Sequence, residues 1–418
     1  MLDAIVVGAG QAGLATSYWL QQRGLSHVVL ERGRVGESWR SQRWDSFVLN
    51  TPNAMSVLPG DPYTGDNPEG FWTRDELLAR YRDYVARFGL PVREGVAVVD
   101  VSSTSEGFVV RIEPGEEQAL EARNVVIASG LMQAEKRPAT AAQVPDSLPS
   151  VHASEYRNAS ALPPGAVLVV GAAQSGCQIA EDLLAAGRRV FLATSRVPRV
   201  PRRYRGRDIF AWLDTVGFWA QRLEDLPDPA MRYAPQPQIS GGGPRGHTVS
   251  LQWLAQRGVT LLGRFEGYRD GRLLFADDLG ANVRFADESS ARMLGMVDAA
   301  IERMGIAAPP REDDPADRPH PNPDALVAPR ALDVAGDGVG TVVWCTGFTA
   351  GFPWLRMPVL DAVGQPAHTR GVTAVPGVYF TGFPWLTSRR SGVILGAGED
   401  ARAVVEHLAT RAPSTSGG

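Results

Sequence analysis

Gly8-Ala9-Gly10-Gln11-Ala12-Gly13 spaces three glycines as a dinucleotide pyrophosphate requires. Gly8 permits a tight turn, Gly10 lets phosphates approach the backbone, and Gly13 lets a helix pack closely on a strand. Glu31, eighteen residues beyond Gly13, is an acid where the ribose hydroxyls of an adenine dinucleotide fall. A second set follows at Gly171-Ala172-Ala173-Gln174-Ser175-Gly176, with Ala173 in the middle position, where it tightens the backbone approach. The second unit ends in Ser195-Arg196 rather than an acid. A guanidinium there suits a 2′-phosphate and favours NADPH over NADH. Arg199, Arg202 and Arg203 lie close behind, and Arg202 to Arg207 read at least as well as a solvated arginine face.

These turns need strands and helices to hold them. Ala4–Val7 and His27–Leu30 are short apolar runs of the buried parallel-strand type, with a helix over 14–20 between them. Ala166–Val170, a helix over 177–186 and a strand over 189–194 repeat the unit, and two such units are harder to obtain by chance than one. Helix N-termini behind both turns offer N–H groups and a positive dipole end to phosphates.

The stretch 36–53 is loop-like yet carries Trp39, Trp44 and Phe47, as a loop folded over something does. Thr73 and Glu76 form a capping box that starts a helix running to about Phe88. Alternating runs at 96–101, 107–112 and 118–123 predict antiparallel strands. Asn124 to Gly130 is a buried strand ending in Ser129-Gly130, and 138–164 reads as a proline-rich link. Over 204–330 the pattern is weakest: a turn at 241–244, helices over 248–256 and 287–304, a strand over 259–264, and a surface loop over 307–330. Met293, Leu294, Val297 and Ile301 fall on one helix face, a core stripe, and Trp212, Phe218 and Trp219 also read as core. Strands ending in Thr346-Gly347 and Thr381-Gly382 follow, then a last helix over 399–410 and a disordered end at 413–418.

The 418 residues suffice for two or three domains, and 44% hydrophobic with 21% charged residues is ordinary for a globular chain. A net charge of −4 argues against a nucleic-acid or anionic-membrane binder, and no run is long enough to span a membrane. Two cysteines, Cys177 and Cys345, without a CxxC, point to a reducing compartment; with the first strand at the N-terminus, a cytoplasmic protein is expected. No Ser/His/Asp, metal-ligand or paired-carboxylate constellation competes as an active site.

Together the two glycine turns, Gly36-Glu37-Ser38-Trp39, Leu49-Asn50-Thr51-Pro52-Asn53, His152 with Tyr156, and Cys345-Thr346-Gly347-Phe348 resemble class B flavoprotein monooxygenases, close to the flavin-containing monooxygenases and YUCCA enzymes. The resemblance implies an α/β fold of two Rossmann-like domains, the NADPH-binding one inserted into the FAD-binding one. The expected boundaries are 1–155, 156–335 and 336–418. For FAD it implies Gly8, Gly10, Gln11, Ala12, Gly13, Glu31, Arg32, Ser38, Trp39, Arg40, Thr51, Val98, Ser129, Gly130, Trp385 and Ser391. For NADPH it implies Gly171, Ala173, Gln174, Ser175, Gly176, Ser195, Arg196, Thr346 and Gly347. It puts Asn50 over the flavin, its amide bonding an oxygen adduct at C4a, and His152 at the domain junction, orienting NADPH. It also puts Trp385 and Arg389 beside the flavin edge, where they are candidates for lining the substrate pocket.

The expected reaction is insertion of one atom of O2 into a small organic substrate through a C4a-(hydro)peroxyflavin. N- or S-oxygenation and a YUCCA-like oxidative decarboxylation are both expected outcomes. The competing readings are an NADPH oxidase or NADPH:acceptor oxidoreductase without oxygen insertion, and a non-catalytic flavin-binding redox sensor. A disulfide reductase would need a redox cysteine pair, which the chain does not offer. The expected partners are a small-molecule substrate and O2, with no nucleic acid and no membrane; a homodimer is allowed.

Overall fold

In the computed structural model, residues 1–115, 118–233, 236–239 and 245–411 are described. The expected turn at 241–244 and the chain end from 413 lie outside them.

Two sheets organise the chain. Among the described residues the first has seven strands. Val92–Glu94, His27–Glu31, Leu2–Val7 and Ala119–Ile127 run parallel, side by side. Along its far edge Ala119–Ile127 pairs antiparallel with Phe108–Glu113, then parallel with Val378–Phe380. The runs at 118–123 and 124–130 are therefore one strand. Its first half, on the meander, alternates exposed and buried side chains, while Asn124–Ile127 is buried throughout, as strands covered on both faces are. Ile5, Val6, Val125 and Val126 are fully buried. Each contributes about 1.5–3 kcal/mol of apolar burial.

The second sheet is wholly parallel, in the order Thr260–Leu262, Val190–Ala193, Ala166–Val170, Val339–Trp344, Ser150–His152. The proline-rich link thus supplies an edge strand, because Ser150–His152 can pair with Val339–Trp344 from Val342 to Trp344.

The capping box is formed as expected: Glu76 N–H donates to Thr73 Oγ1, and Glu76 accepts from Thr73 N–H at 2.8 Å. The last helix begins earlier than expected, spanning Ile394–Ala409. Gly396 and Gly398, which suggest a break, sit in it for contact reasons: a Cβ on Gly396 would lie 2.2 Å from Arg390 O, and one on Gly398 3.3 Å from Pro59. The helix of the weak region also starts earlier, at Leu279, and runs to Met304. Its Leu294 and Val297 pack with Trp212 and Trp219 in one buried cluster. The 307–330 stretch is not merely a surface loop, since Ala316 and Asp317 are buried.

Candidate functional site

The two glycine turns are built alike. Gly8 and Gly171 both have φ +106°. A Cβ on Gly13 would lie 1.8 Å from Gly8 O, and one on Gly176 1.8 Å from Gly171 O, so only glycine lets each helix sit against its turn. Gly10 differs: a Cβ there meets no protein atom within 4 Å. Its openness serves an approaching ligand rather than the packing. Ala173 adopts the same extended backbone as Gly10 (φ −79°, ψ −172° against φ −83°, ψ −173°), so the substitution costs the protein no strain.

Strand order sets the direction of a bound dinucleotide. Along the carboxyl edge of the first sheet come the ends of His27–Glu31, Leu2–Val7, Ala119–Ile127 and Val378–Phe380. Glu31 and Gly382 therefore flank the Gly8 turn on opposite sides. Ligands of open α/β sheets bind at this edge. Gly130, Gly347 and Gly382, each just after a strand, all have positive φ (+73°, +87°, +75°).

A cavity of ≈ 460 Å³ runs over this edge. Gly8, Gly10, Gln11, Ala12, Glu31, Arg32, Ser38, Trp39, Val98, Ser129 and Gly130 line it. Glu31 accepts from Ala9 N–H at 2.8 Å and Gly33 N–H at 2.9 Å, one bond per oxygen, which leaves lone pairs for ribose hydroxyls. Trp39 Nε1–H donates to Gln11 Oε1 at 3.1 Å, closing one wall. Arg43, which the pattern does not single out, lies 5.1 Å over Trp39, and burial lowers its guanidinium to about 10. It meets no carboxylate among the described residues, so the cavity holds an unneutralised cation suited to a phosphate-bearing ligand. Trp354, Gly382, Pro384 and Gly392 also line it. Their one sequence signal is the Thr-Gly strand end: a Cβ on Gly382 would lie 2.3 Å from Ala12 Cβ. Gly13 stands behind the lining, and Arg40, Thr51, Trp385 and Ser391 stand outside it. Ser391 Oγ donates to Asp400 Oδ1 at 2.8 Å.

At the second turn, Gln174 and Ser175 open the helix Gln174–Ala185, and Gln174 Oε1 accepts from Ile239 N–H at 2.5 Å. Arg196 is exposed and pairs with no described carboxylate, while Ser195 beside it is half-buried. The arginines behind it are not a solvated face. Arg199 is buried between Asp287, at 2.8 Å, and Asp317. Arg202 is buried against Asp208 at 2.5 Å, with its guanidinium 4.2 Å over Phe71. Arginine sequence density reports charge, not exposure, and the carboxylates of Arg199 come from a distant segment.

Asn50 does not line the cavity and does not cap a turn. It lies at the seam between the two sheets' units, where its Oδ1 accepts from Gln178 Nε2 at 3.1 Å. Its backbone oxygen accepts from Arg202 Nη1 at 2.6 Å. Nearby, Tyr156 Oη and Ser46 Oγ both donate to Asp182, each at 2.5 Å.

His152 is fully buried. Its Nε2–H donates to Gly347 O at 2.9 Å, and its Nδ1 accepts from Ser154 N–H at 3.2 Å, which fixes the neutral tautomer. Burial holds its pKa below the usual histidine value, against the opposing charge of Glu135. It ties down the Thr346-Gly347 turn, whose Thr346 Oγ1 also bonds Lys136 O.

Both cysteines are buried as free thiols, and burial raises them, Cys345 to about 12. Neither has thiolate character for disulfide exchange.

Residues 5–213, half of the chain, match the model of the pyridine nucleotide-disulphide oxidoreductase family. An uncharacterized CzcO-like oxidoreductase of Geobacillus kaustophilus is 31% identical over 412 residues, covering 98% of both chains. Indole-3-pyruvate monooxygenase YUCCA4 of rice (Oryza sativa subsp. japonica) is 32% identical over 195 residues, 43% of this chain and 44% of that one. The solved structure of a flavin-containing monooxygenase from Stenotrophomonas maltophilia superposes with a TM-score of 0.67 at 20% identity, covering 99% of both chains. The chain belongs to the pyridine nucleotide-disulphide oxidoreductase family and is an oxidoreductase.

Proposed function

We propose that the enzyme inserts one atom of O2 into a small organic substrate, by N- or S-oxygenation or by oxidative decarboxylation of a keto acid. The observation that carries this reading is the Asn50 amide, oriented by Gln178 at the seam between the two dinucleotide turns. FAD, when bound, supplies the redox chemistry, accepting hydride from NADPH and delivering electrons to O2. The protein's part is binding, orientation and a dry site.

In this reading the Gly8 turn and Arg43 hold the FAD pyrophosphate, and Glu31 the adenosine ribose. Gly171, Ala173 and Gly176 seat the NADPH pyrophosphate, and Arg196 takes its 2′-phosphate. His152 keeps the Thr346-Gly347 turn in place below it. Asn50 offers Nδ2–H donors to oxygen, where fixed donors and exclusion of water favour transfer over peroxide release.

One observation favours the reading without oxygen insertion: Asn50 is not in the lining of the first cavity. Turnover under 18O2 separates the two. One labelled atom in the organic product and the other in water per NADPH, with CO2 released as well when the substrate is a keto acid, supports the monooxygenase. Stoichiometric labelled peroxide with unlabelled substrate supports the oxidase.

A further inference from the structure

A second cavity, of ≈ 350 Å³, shares Leu131 and Pro384 with the first. Pro384 follows Gly382, on the opposite side of the pyrophosphate turn from the ribose-binding Glu31. The second cavity therefore opens at the end of the FAD cavity that remains for the ring.

Its apolar side is Phe383, Trp385 and Leu386, directly after the last strand of the first sheet. Trp385 has φ +59°, a left-handed backbone that a bulky residue rarely adopts. Two contacts hold it there. Its Nε1–H donates to Arg232 O at 3.2 Å, and the Arg389 guanidinium lies 4.5 Å over its ring and 4.2 Å over Phe218. The aromatic wall and the Arg232 segment are thus one construction.

The lining also carries Arg222, Arg232 and Arg370 together with Glu224 and Asp361. Glu224 lies 3.8 Å from Arg222. Asp361 Oδ1 already accepts the N–H groups of Val363 and Gln365, both at 2.9 Å. Arg232 and Arg370 meet no carboxylate among the described residues. Arg232 rests on its neighbour Tyr233, 4.6 Å over the ring. Burial first, and then the Arg232 charge, lower the pKa of the nearby His368. The result is a half-enclosed aromatic cavity with two unneutralised guanidinium groups, a setting that favours a carboxylate.

We propose that this cavity is the substrate site and that the substrate is an organic acid. Its carboxylate is held by Arg232 and Arg370, and its apolar body lies on Trp385 and Phe383 facing the opening at Leu131 and Pro384. As a substrate site this rests on the oxygenation reading above; as a carboxylate-binding site it stands apart from it.

The test is calorimetric titration of the FAD-loaded protein with 3-(methylthio)propanoate, 4-(methylthio)benzoate and phenylpyruvate, each against its methyl ester. The acids bind at least about tenfold tighter than the esters, and Arg232→Gln and Arg370→Gln each remove about tenfold from the acids only. Arg232→Lys, which keeps the charge, recovers part of the loss. Melting temperature and bound FAD establish that each variant is folded. Acids no tighter than esters across the series, or acid affinity unchanged in both glutamine variants, overturn the proposal. Acid-selective binding without oxygen transfer from 18O2 would leave the carboxylate site standing and sink the oxygenation reading alone.

Discussion

Gln178 Nε2 donates to Asn50 Oδ1 across 3.1 Å, so the second unit's helix occupies the acceptor of the Asn50 amide. The two Nδ2 hydrogens meet no described partner and stay available as donors. Gln178→Leu frees the amide to rotate. The expected outcome is an about 3- to 10-fold fall in product formed per NADPH, with peroxide rising and FAD content unchanged. Asn50→Ala shows the same shift more strongly. Coupled assays of NADPH, peroxide and product measure both, and an unaltered ratio would remove Asn50 from the chemistry.

Arg202 links fold and site, since it is buried against Asp208 and also donates to the Asn50 carbonyl. Removing one partner of a buried ion pair leaves an uncompensated charge. Asp208→Asn is expected to destabilise the protein by about 3–5 kcal/mol, measured by denaturant unfolding. Its Asp208 Oδ1 also caps the helix Ile209–Thr215 through Phe210 N–H at 2.8 Å, which Asn can still do, so the loss reports the ion pair.

Arg196→Glu should reverse the coenzyme preference. The exposed guanidinium has no described carboxylate to leave behind, so folding is unaffected. KM for NADPH rises about 10- to 100-fold while KM for NADH changes little. Stopped-flow reduction with either coenzyme reads this directly, and equal effects on both would assign the 2′-phosphate elsewhere.

Asp400 makes stability fall with pH. It is fully buried on the last helix, and its Oδ2 has no hydrogen-bond partner among the described residues. Burial, aided by Glu399, raises its pKa to about 7, against the bonds from Thr387 and Ser391 and the charge of Arg390. The native state then holds a proton that the unfolded chain releases near pH 4. Stability is full below that point and declines as pH rises to about 7, by at most about 4 kcal/mol. Asp400→Asn cannot ionise. Calorimetry should find it melting several degrees above the parent at pH 8 and near it at pH 3.

The two turns, the capping box and the strands of the parallel sheets were legible because each is a local pattern: glycine spacing, Thr73 to Glu76, or an apolar run. The cavity lining was legible to the same extent. Glu31, Ser129 and Gly130 stand next to their motifs, whereas Arg43 and Trp354 reach the lining through tertiary packing that no spacing encodes. Ser150–His152 was hidden because a three-residue edge strand carries almost no periodicity. Arg202 was misjudged because its ion pair with Asp208 and its stacking on Phe71 bury it, and no spacing encodes that burial. Gly396 and Gly398 masked the start of the last helix by acting as packing residues rather than breakers.

The placement of the cysteines bears on endurance. In the proposed reaction the enzyme works beside its own oxidant, and thiolates are the groups such oxidants attack first. Here one sulfur sits in the helix behind the second turn and the other at the end of the strand Val339–Trp344, both buried and held as neutral thiols. Peroxide escaping the site would find no reactive sulfur on either, so the catalyst is spared the slow self-inactivation that an exposed, ionised cysteine would bring to each turnover.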